Sequence, residues 1–519
     1  MANKAKAAPA APAASEADGF LRGPALVLAV VTLAFANFMA VLDMTIANVS
    51  VPNIAGGLAV SSQEGTWVIT SYSVAEAITV PLTGWLAGRF GAVRVFVIAM
   101  GAFGFFSMMC GLSPSLGALV LFRVLQGLSG GPLLPMSQTL LQRFSPPHLR
   151  GQTMGIWAMT TVVAPIAGPV LGGTISDNMG WSWVFFINVP VAALLVMLAS
   201  RTLPKNDVTH RLPVDFIGLG LLVLWVGALQ IMLDKGKELD WFQSPVIMVL
   251  LAVAIVGFIA FIIWELTEEH PIVDLRIFRY RGFTSACFAM CLAFSGMYAS
   301  LVIIPLWLQL DMGYTATWAG YVTGFNGVLA VVFAPIVATL VTKIDPRRLV
   351  TFGILWLAAD MFWRSLFVPD MAYNQLIWPQ IAQGLAMPFF FIPLMSVAMG
   401  TLKPSEIASG AGLLNFVRTT SGAFATSITT TAWDDHATTV RQTLVDRLHG
   451  ADQLLGGMTQ AGLSLAQSTS LLDNIVQSQA VMISTNHIFI VVAALMVVSA
   501  SAIWFAPKPQ MGAPPPSEH

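Results

Sequence analysis

The chain has 519 residues, of which 56% are hydrophobic and only 10% are charged. Ordinary soluble domains carry about 25% charged residues, so a chain of this composition has no means of covering its surface in water. The formal net charge of −1 supplies no basic field, and no nucleic-acid partner is expected. The composition excludes collagen-like, disordered and disulfide-framework proteins. It indicates an all-α polytopic membrane protein embedded in the lipid bilayer.

A transmembrane helix needs about 20 apolar residues, because each residue rises about 1.5 Å across roughly 30 Å of hydrocarbon. By this measure the sequence predicts fourteen transmembrane helices. They fall near residues 25–48, 67–88, 94–112, 117–140, 153–175, 185–203, 216–233, 246–264, 284–309, 318–341, 349–367, 375–399, 412–432 and 486–506. Residues 1–23 and 508–519 are predicted to be disordered cytoplasmic tails.

The distribution of lysine and arginine predicts the orientation. Eighteen of the 25 such residues fall on the side of the N-terminus, four on the opposite side and three within predicted spans. Cytoplasmic loops of membrane proteins carry an excess of these residues. Both termini are therefore expected in the cytoplasm.

Short motifs recur at similar offsets along the chain. Gln126-Gly127-Leu128 matches Gln383-Gly384-Leu385, 257 residues later, and the segment around Leu86 matches that around Leu340, 254 residues later. Two copies of a six-helix bundle, at 24–203 and 283–507, would produce this spacing, with a linker at 204–282 that contributes two extra helices. A long periplasmic loop is expected at about 433–485. Such repeats are typical of secondary transporters.

Three ionisable residues within the predicted spans are candidates for function, since buried charges in a membrane are costly. Asp43 and Arg123 lie roughly 6 and 9 Å from the same outer surface, so both could occupy one polar pocket. Glu76 lies nearer the middle of its span and could carry a proton. Whether Arg123 or Glu76 is the partner of Asp43 stays open, and each residue could also serve only to hold helices together.

Two further arginines lie within predicted spans. Asp360 and Arg364 are four residues apart, which favours an ion pair on one helix face that lowers the cost of burying both charges. Arg418 lies towards the cytoplasmic end of its span and is expected to extend to the membrane interface.

The fifth predicted span contains an unusual run of prolines and glycines: Pro165, Gly168, Pro169, Gly172 and Gly173. Proline removes a backbone donor and bends a helix, whereas glycine lets a second helix approach closely. A simple packing contact would explain the glycines but not the flanking prolines.

No motif for a soluble enzyme is present in the sequence. There is no phosphate-binding G-x-x-x-x-G-K-[ST] loop, no zinc-binding H-E-x-x-H motif and no soluble segment large enough for an active site. No cofactor and no metal are expected, and an ion gradient is the expected source of energy.

Four motifs together resemble those of one family. They are the segments Leu42–Pro52, Gly84–Gly91, Leu121–Gly127 and Gly168–Gly173, in that order along the chain. The chain resembles the fourteen-helix drug:proton antiporters of the major facilitator superfamily, EmrB type. Gly88 and Ser182 depart from the residues usual in that superfamily, which are an acidic residue and an arginine.

The resemblance implies the major facilitator fold, two six-helix bundles with an inserted two-helix hairpin. It implies roles in proton coupling for Asp43 and Arg123, and it places Gly84, Arg89 and Gly91 in a cytoplasmic gating loop. It identifies the run from Gly168 to Gly173 as the antiporter motif.

The resemblance further implies a bacterial inner-membrane exporter of hydrophobic or amphipathic drugs in exchange for protons. Such a pump works with a periplasmic adaptor of the EmrA type and an outer-membrane channel. The loop near 433–485 could contact an adaptor or could simply pack on the outer face. An exporter of an endogenous siderophore, peptide or fatty acid is the alternative. A lipid-modifying enzyme lacks a cluster of polar residues at one interface, and a passive channel would equilibrate its cargo rather than concentrate it.

Overall fold

A computed structural model describes residues 20–147, 149–204, 213–448 and 450–508, and within these ranges all regular structure is helical. Helices that are interrupted by a short break keep one label. The long helices are α1 Gly23–Gly57, α2 Trp67–Thr79 with Thr83–Phe90, α3 Ala92–Gly111, α4 Leu116–Gly130 with Leu133–Phe144, α5 Arg150–Met179, α6 Trp183–Phe186 with Asn188–Thr202, α7 Phe216–Lys235, α8 Pro245–Thr267, α9 Arg281–Leu310, α10 Ala316–Gly324 with Asn326–Leu340, α11 Pro346–Arg364, α12 Tyr373–Met399, α13 Ile407–Asp446 and α14 Leu465–Ala502.

Each predicted span overlaps one of these helices. In the described part of the chain, ten helices are long and apolar enough to cross a membrane by length and composition alone. The remaining four spans correspond to α2, which is interrupted, and to α5, α11 and α13. Fourteen crossings therefore remain a prediction, whereas the all-α membrane architecture is observed.

The breaks in α2 and α4 lie against each other. Pro81 and Pro132 occur at the two breaks, and proline lacks the N–H that would continue a helix. Gly127 and Gly131 of α4 face α2 so closely that a Cβ at Gly127 would lie 2.5 Å from the Tyr72 carbonyl oxygen. A Cβ at Gly131 would contact the Thr79 hydroxyl. Glycine is therefore required for α4 to approach α2.

The C-terminal half of the chain repeats this contact. Gly384 of α12 faces the break in α10, and a Cβ at this position would collide with the Asn326 carbonyl oxygen. Gly127 and Gly384 belong to the two copies of the repeated motif. They therefore perform the same packing role in α1–α6, the N-terminal half, and in α9–α14, the C-terminal half.

The two halves meet through small residues. A Cβ at Gly151 of α5 would lie 2.6 Å from the Ala338 carbonyl oxygen of α10. Gly84 in the second segment of α2 packs against Ser409 at the start of α13, with the added Cβ 2.6 Å from the Ser409 Cα. These contacts bring the halves together at the end of the bundle that the charge distribution predicts to be cytoplasmic.

Helices α7 and α8 pack against each other, and α7 lies against α2 of one half and α13 of the other. Ser427 of α13 donates a 2.6 Å hydrogen bond to the Leu233 carbonyl oxygen of α7. Lys235 of α7 donates a 2.6 Å hydrogen bond to the hydroxyl of Thr66, just before α2. Helix α7 therefore contacts both halves, and α8 packs on α7.

The stretch predicted as a periplasmic loop is mostly helical. Helix α13 runs on to Asp446, a short helix spans Ala451–Gln460, and α14 begins at Leu465. The Trp433 indole donates a 2.8 Å hydrogen bond to Thr485, and Arg441 forms an ion pair with Asp473. The predicted loop is thus a pair of helical extensions joined side to side.

Candidate functional site

Asp43 of α1 and Arg123 of α4 form a buried ion pair. Arg123 Nη1 lies 2.7 Å from Asp43 Oδ2, and both side chains are 0% exposed. The structure therefore selects Arg123, rather than Glu76, as the partner of Asp43. A buried carboxylate and guanidinium tolerate each other's burial only when both are well hydrogen-bonded.

Two amides complete the hydrogen bonding of the Asp43 carboxylate. Gln126 Nε2 and Asn188 Nδ2 donate to Asp43 Oδ1 at 3.1 and 2.6 Å. Asn188 also donates to the Ser107 hydroxyl at 3.1 Å, and Ser107 donates to the Phe185 carbonyl oxygen. Four helices, α1, α3, α4 and α6, thus supply the side chains of one network.

The Arg123 guanidinium is held by further contacts. Its Nε donates to the Val68 carbonyl oxygen at 3.0 Å, and its Nη1 also donates to Gln126 Oε1 at 2.9 Å. The Tyr72 ring lies under it, 4.1 Å from centroid to Cζ. This distance is well within the range of a cation–π interaction.

Glu76 lies outside this network but close to it. It follows Tyr72 by one helical turn and, unlike Asp43, is partly exposed. The arginines whose charges reach its carboxylate are Arg418 of α13 and Arg123 of α4. The Glu76 carboxylate is therefore within range of buried arginines from both halves.

The glycines of the predicted antiporter motif lie on α5, and two of them face α1. A Cβ at Gly168 would contact Thr45 and lie 2.6 Å from its Cβ, and one at Gly172 would lie 3.1 Å from the Ile46 carbonyl oxygen. A Cβ at Gly173 would meet nothing within 4 Å. Pro165 and Pro169 lie on the same helix, but their side chains fall outside the described part of the structure.

The predicted gating loop joins α2 to α3. Gly84 contacts Ser409 of the other half, as described above, and Gly91 has a φ of +88° at the turn between the helices. This left-handed conformation favours glycine. The Arg89 guanidinium lies 5.4 Å from the Trp85 ring and 5.6 Å from the Phe90 ring.

A second buried ion pair lies in the C-terminal half. Arg364 Nε lies 2.8 Å from Asp360 Oδ2, and the same guanidinium donates to Gln383 Oε1 at 2.8 Å. Gln383 is the repeat counterpart of Gln126, which accepts a hydrogen bond from Arg123. In both halves, the glutamine of the repeated motif binds the buried arginine of its own half.

The expectation that Arg418 extends to the membrane interface is wrong. Its side chain is 2% exposed and lies within the protein, 6.0 Å from the Phe294 ring. It is held inside because α13 packs against α9, α14 and the second segments of α2 and α4.

Two residues of the network carry different signals in the sequence. Gln126 lies one turn after Arg123 and within the repeated motif, so it could have been proposed as a partner. Asn188 begins the second segment of α6, 145 residues after Asp43, and no sequence pattern predicts that the two residues meet. Among the described residues, no group of three His, Cys, Asp or Glu side chains could hold a metal ion.

These features define a helical membrane protein with two repeated halves and a buried ion pair in each. The family profile of the Major Facilitator Superfamily matches residues 33–426. The chain therefore belongs to the Major Facilitator Superfamily, whose members are transporters.

Curated relatives and solved structures resemble the chain over nearly its whole length. The Escherichia coli multidrug export protein EmrB is 43% identical over 95% of this chain and 97% of its own. The Neisseria gonorrhoeae fatty acid resistance protein FarB is 41% identical over 94% of this chain and 97% of its own. The human organic anion transporter MFSD10 is 13% identical, with a TM-score of 0.59 over 93% of this chain and 100% of its own, which shows the shared fold alone.

Proposed function

We propose that this protein exports hydrophobic or amphipathic compounds across a bacterial inner membrane in exchange for protons, by alternating access. The observation that carries the proposal is the Asp43–Arg123 pair, a carboxylate fully enclosed by donors inside a membrane-embedded helix bundle. An intramembrane ion pair of this kind is expensive to maintain and is associated with ion pathways. Arg123 is stabilised by the negative charge of Asp43. That charge disappears when the carboxylate takes up a proton.

The helix that carries Asp43 connects the ion pair to the boundary between the halves. Thr45, two residues after Asp43, packs on Gly168 of α5. The same helix α5 meets α10 through Gly151 and the Ala338 carbonyl oxygen. Protonation of Asp43 would release Arg123, change the position of α1 and thereby bias the contact between the halves. Proton binding and cargo binding would favour opposite states of the same two-state equilibrium. This opposition produces exchange of one for the other.

A proton gradient supplies enough free energy for this work. One elementary charge that moves across 100 mV releases about 2.3 kcal/mol, and a pH difference adds to this amount. No cofactor is required by this mechanism, and the proposed activity is transport rather than enzymatic conversion. With both termini in the cytoplasm, as predicted, the Asp43–Arg123 pair lies nearer the outer surface of the membrane. Protons would enter from that side.

The relatives support the proposed cargo and suggest partners. One similar protein is named for multidrug export and another for fatty acid resistance. The first name supports drugs as cargo, and the second is compatible with the alternative of a fatty acid as cargo. Neither name bears on a siderophore or a peptide. By analogy with the EmrB type, we propose a periplasmic adaptor of the EmrA type and an outer-membrane channel as partners. The helical extensions around Trp433–Thr485 are the surface offered to such an adaptor.

Purified protein in liposomes tests this function. A panel of lipophilic cations, acids and neutral dyes would be followed with and without an imposed proton gradient. We expect accumulation against the concentration gradient of at least one compound, only when the proton gradient is present. Movement that stops at equal concentrations would indicate a channel. No movement of any compound by folded protein would contradict the export of such compounds by this chain alone.

A further inference from the structure

Three arginines are buried inside the described helices, and two of them are neutralised. Arg123 and Arg364 each have a carboxylate within 2.8 Å. Arg418 is as deeply buried as these two, at 2% exposure, yet its Nε and Nη1 have no hydrogen-bond partner. Arg123 Nη2 also lacks a hydrogen-bond partner, but among these three described arginines Arg418 is the one that has no carboxylate partner.

An unpaired guanidinium in a protein interior is costly, because it has lost its hydration without gaining an equivalent partner. A guanidinium is permanently charged and offers five N–H donors in a planar fork that matches a carboxylate. A residue of this kind within a membrane protein indicates either a role in the conformational cycle or a ligand that completes its hydrogen bonds.

The surroundings of Arg418 favour a ligand. The Phe294 ring lies 6.0 Å from the guanidinium, and the ring of Tyr298, also on α9, packs against Gly422, one helical turn after Arg418. Tyr298 on α9 and Glu76 on α2 are both partly exposed, and both helices pack against α13, which carries Arg418. Aromatic side chains beside one converging charge are typical of a site for an amphipathic small molecule.

We propose that Arg418 binds the carboxylate of amphipathic carboxylic acids and makes them preferred cargo. The proposal rests on the export function proposed above and specifies its substrate class. Glu76 lies on α2, which packs against α13, and its carboxylate would compete with the cargo for Arg418 in the empty protein. The apolar body of the cargo would contact Tyr298, which is partly exposed, whereas Phe294 is buried behind it.

A pair of ligands that differ only in charge tests the proposal. A hydrophobic carboxylic acid and its methyl ester would be titrated into the full-length protein in lipid nanodiscs. We expect Arg418→Gln to weaken binding of the acid at least tenfold and to leave binding of the ester within twofold. Arg418→Lys should restore part of the affinity for the acid, because a lysine supplies the charge without the planar fork.

A second variant keeps the proposal falsifiable if Arg418→Gln fails to fold. Glu76→Gln removes the competing anion and should strengthen binding of the acid several-fold, with no change for the ester. Equal effects on acid and ester in these variants would overturn the proposal and would place Arg418 in the conformational cycle.

The outcome for export is separate. Gradient-driven movement of the ester by the wild-type protein supports the proposed function whatever the acid does. If the wild-type protein moves the ester and Arg418→Gln changes binding of acid and ester equally, the proposed role of Arg418 is contradicted but the export function is not. If the wild-type protein moves neither compound nor any of the wider panel, the export function itself fails.

Discussion

Asn188 Nδ2 lies 2.6 Å from Asp43 Oδ1, whereas Arg123 binds the other carboxylate oxygen, Oδ2. This contact ties α6 to α1, 145 residues apart in the chain. The carboxylate therefore joins helices from the beginning and the end of the N-terminal half. A change in its charge would be felt by several helices at once, which is what a coupling residue requires.

The first prediction concerns the stability of the ion pair. Asp43→Asn should lower the free energy of unfolding by about 3 to 5 kcal/mol, because it leaves the buried Arg123 without its counter-ion. Adding Arg123→Gln should recover most of this loss, since the double variant buries no charge at this position. Thermal unfolding of the purified variants in detergent would measure both effects. A double variant no more stable than the single one would contradict this assignment.

The second prediction compares two glycines of the antiporter motif. Gly168→Ala should destabilise the protein by about 1 to 3 kcal/mol, because the new methyl group overlaps Thr45 of α1. Gly173→Ala is the matched control, since its methyl group meets nothing within 4 Å. The control should be neutral or stabilising by up to about 1 kcal/mol, as expected for alanine in a helix.

Unfolding temperatures and gradient-driven transport would both be measured for these two variants. Similar losses for the two would show that the motif acts through the helix as a whole. The contact between α5 and α1 would then not be its basis.

The third prediction concerns the cap at the start of α11, outside the predicted membrane core. Asp345 accepts a 3.0 Å hydrogen bond from the Arg347 backbone N–H, and the Arg347 Nη2 lies 2.9 Å from Asp345 Oδ2. Arg347 Nη1 also donates to the Ala506 carbonyl oxygen at 3.1 Å, which ties the start of α11 to the segment just after α14. Hydrogen bonds from Arg347 lower the pKa of Asp345 below its ordinary value.

A carboxyl whose pKa is lowered on folding contributes stability above its unfolded pKa of about 3.9, and the contribution disappears as the pH falls through the folded pKa. Asp345→Ala should therefore cost about 1 kcal/mol at neutral pH, as is typical of a lost N-cap. The difference from wild type should shrink below about pH 4. Asp345→Asn keeps an acceptor for the cap and should cost less. A difference that does not change with pH would contradict the role of the charge.

Much of the site follows from the spacing of residues along helices. Asp43 and Arg123 were predicted to lie at similar depth because both could be counted from the same membrane surface. The choice between Arg123 and Glu76 depended on which faces of α1, α2 and α4 meet. That is determined by Gly127 and Gly131, whose lack of a side chain lets α4 approach α2. The length of an apolar segment predicts a membrane helix but does not predict which face of that helix meets its neighbours.

Other features depended on tertiary contacts that no local pattern reveals. Arg418 was expected at the interface from its position near one end of a span, but packing around α13 encloses it. The segment after Trp433 is polar, and polarity suggested a loop. Its helices are stabilised by contacts with each other, such as the 2.7 Å hydrogen bond between His436 and His487.

The central claim, that Asp43 couples proton entry to cargo export, is tested most directly by proton movement itself. Wild-type protein and the Asp43→Asn variant would be reconstituted in liposomes that hold a pH gradient and a pH-sensitive dye. Adding a transported compound to the wild-type protein should dissipate the gradient faster, in proportion to the amount transported. The variant should exchange labelled for unlabelled compound but should leave the pH gradient unaffected. Cargo-dependent dissipation of the gradient by the variant at the wild-type rate would contradict the account.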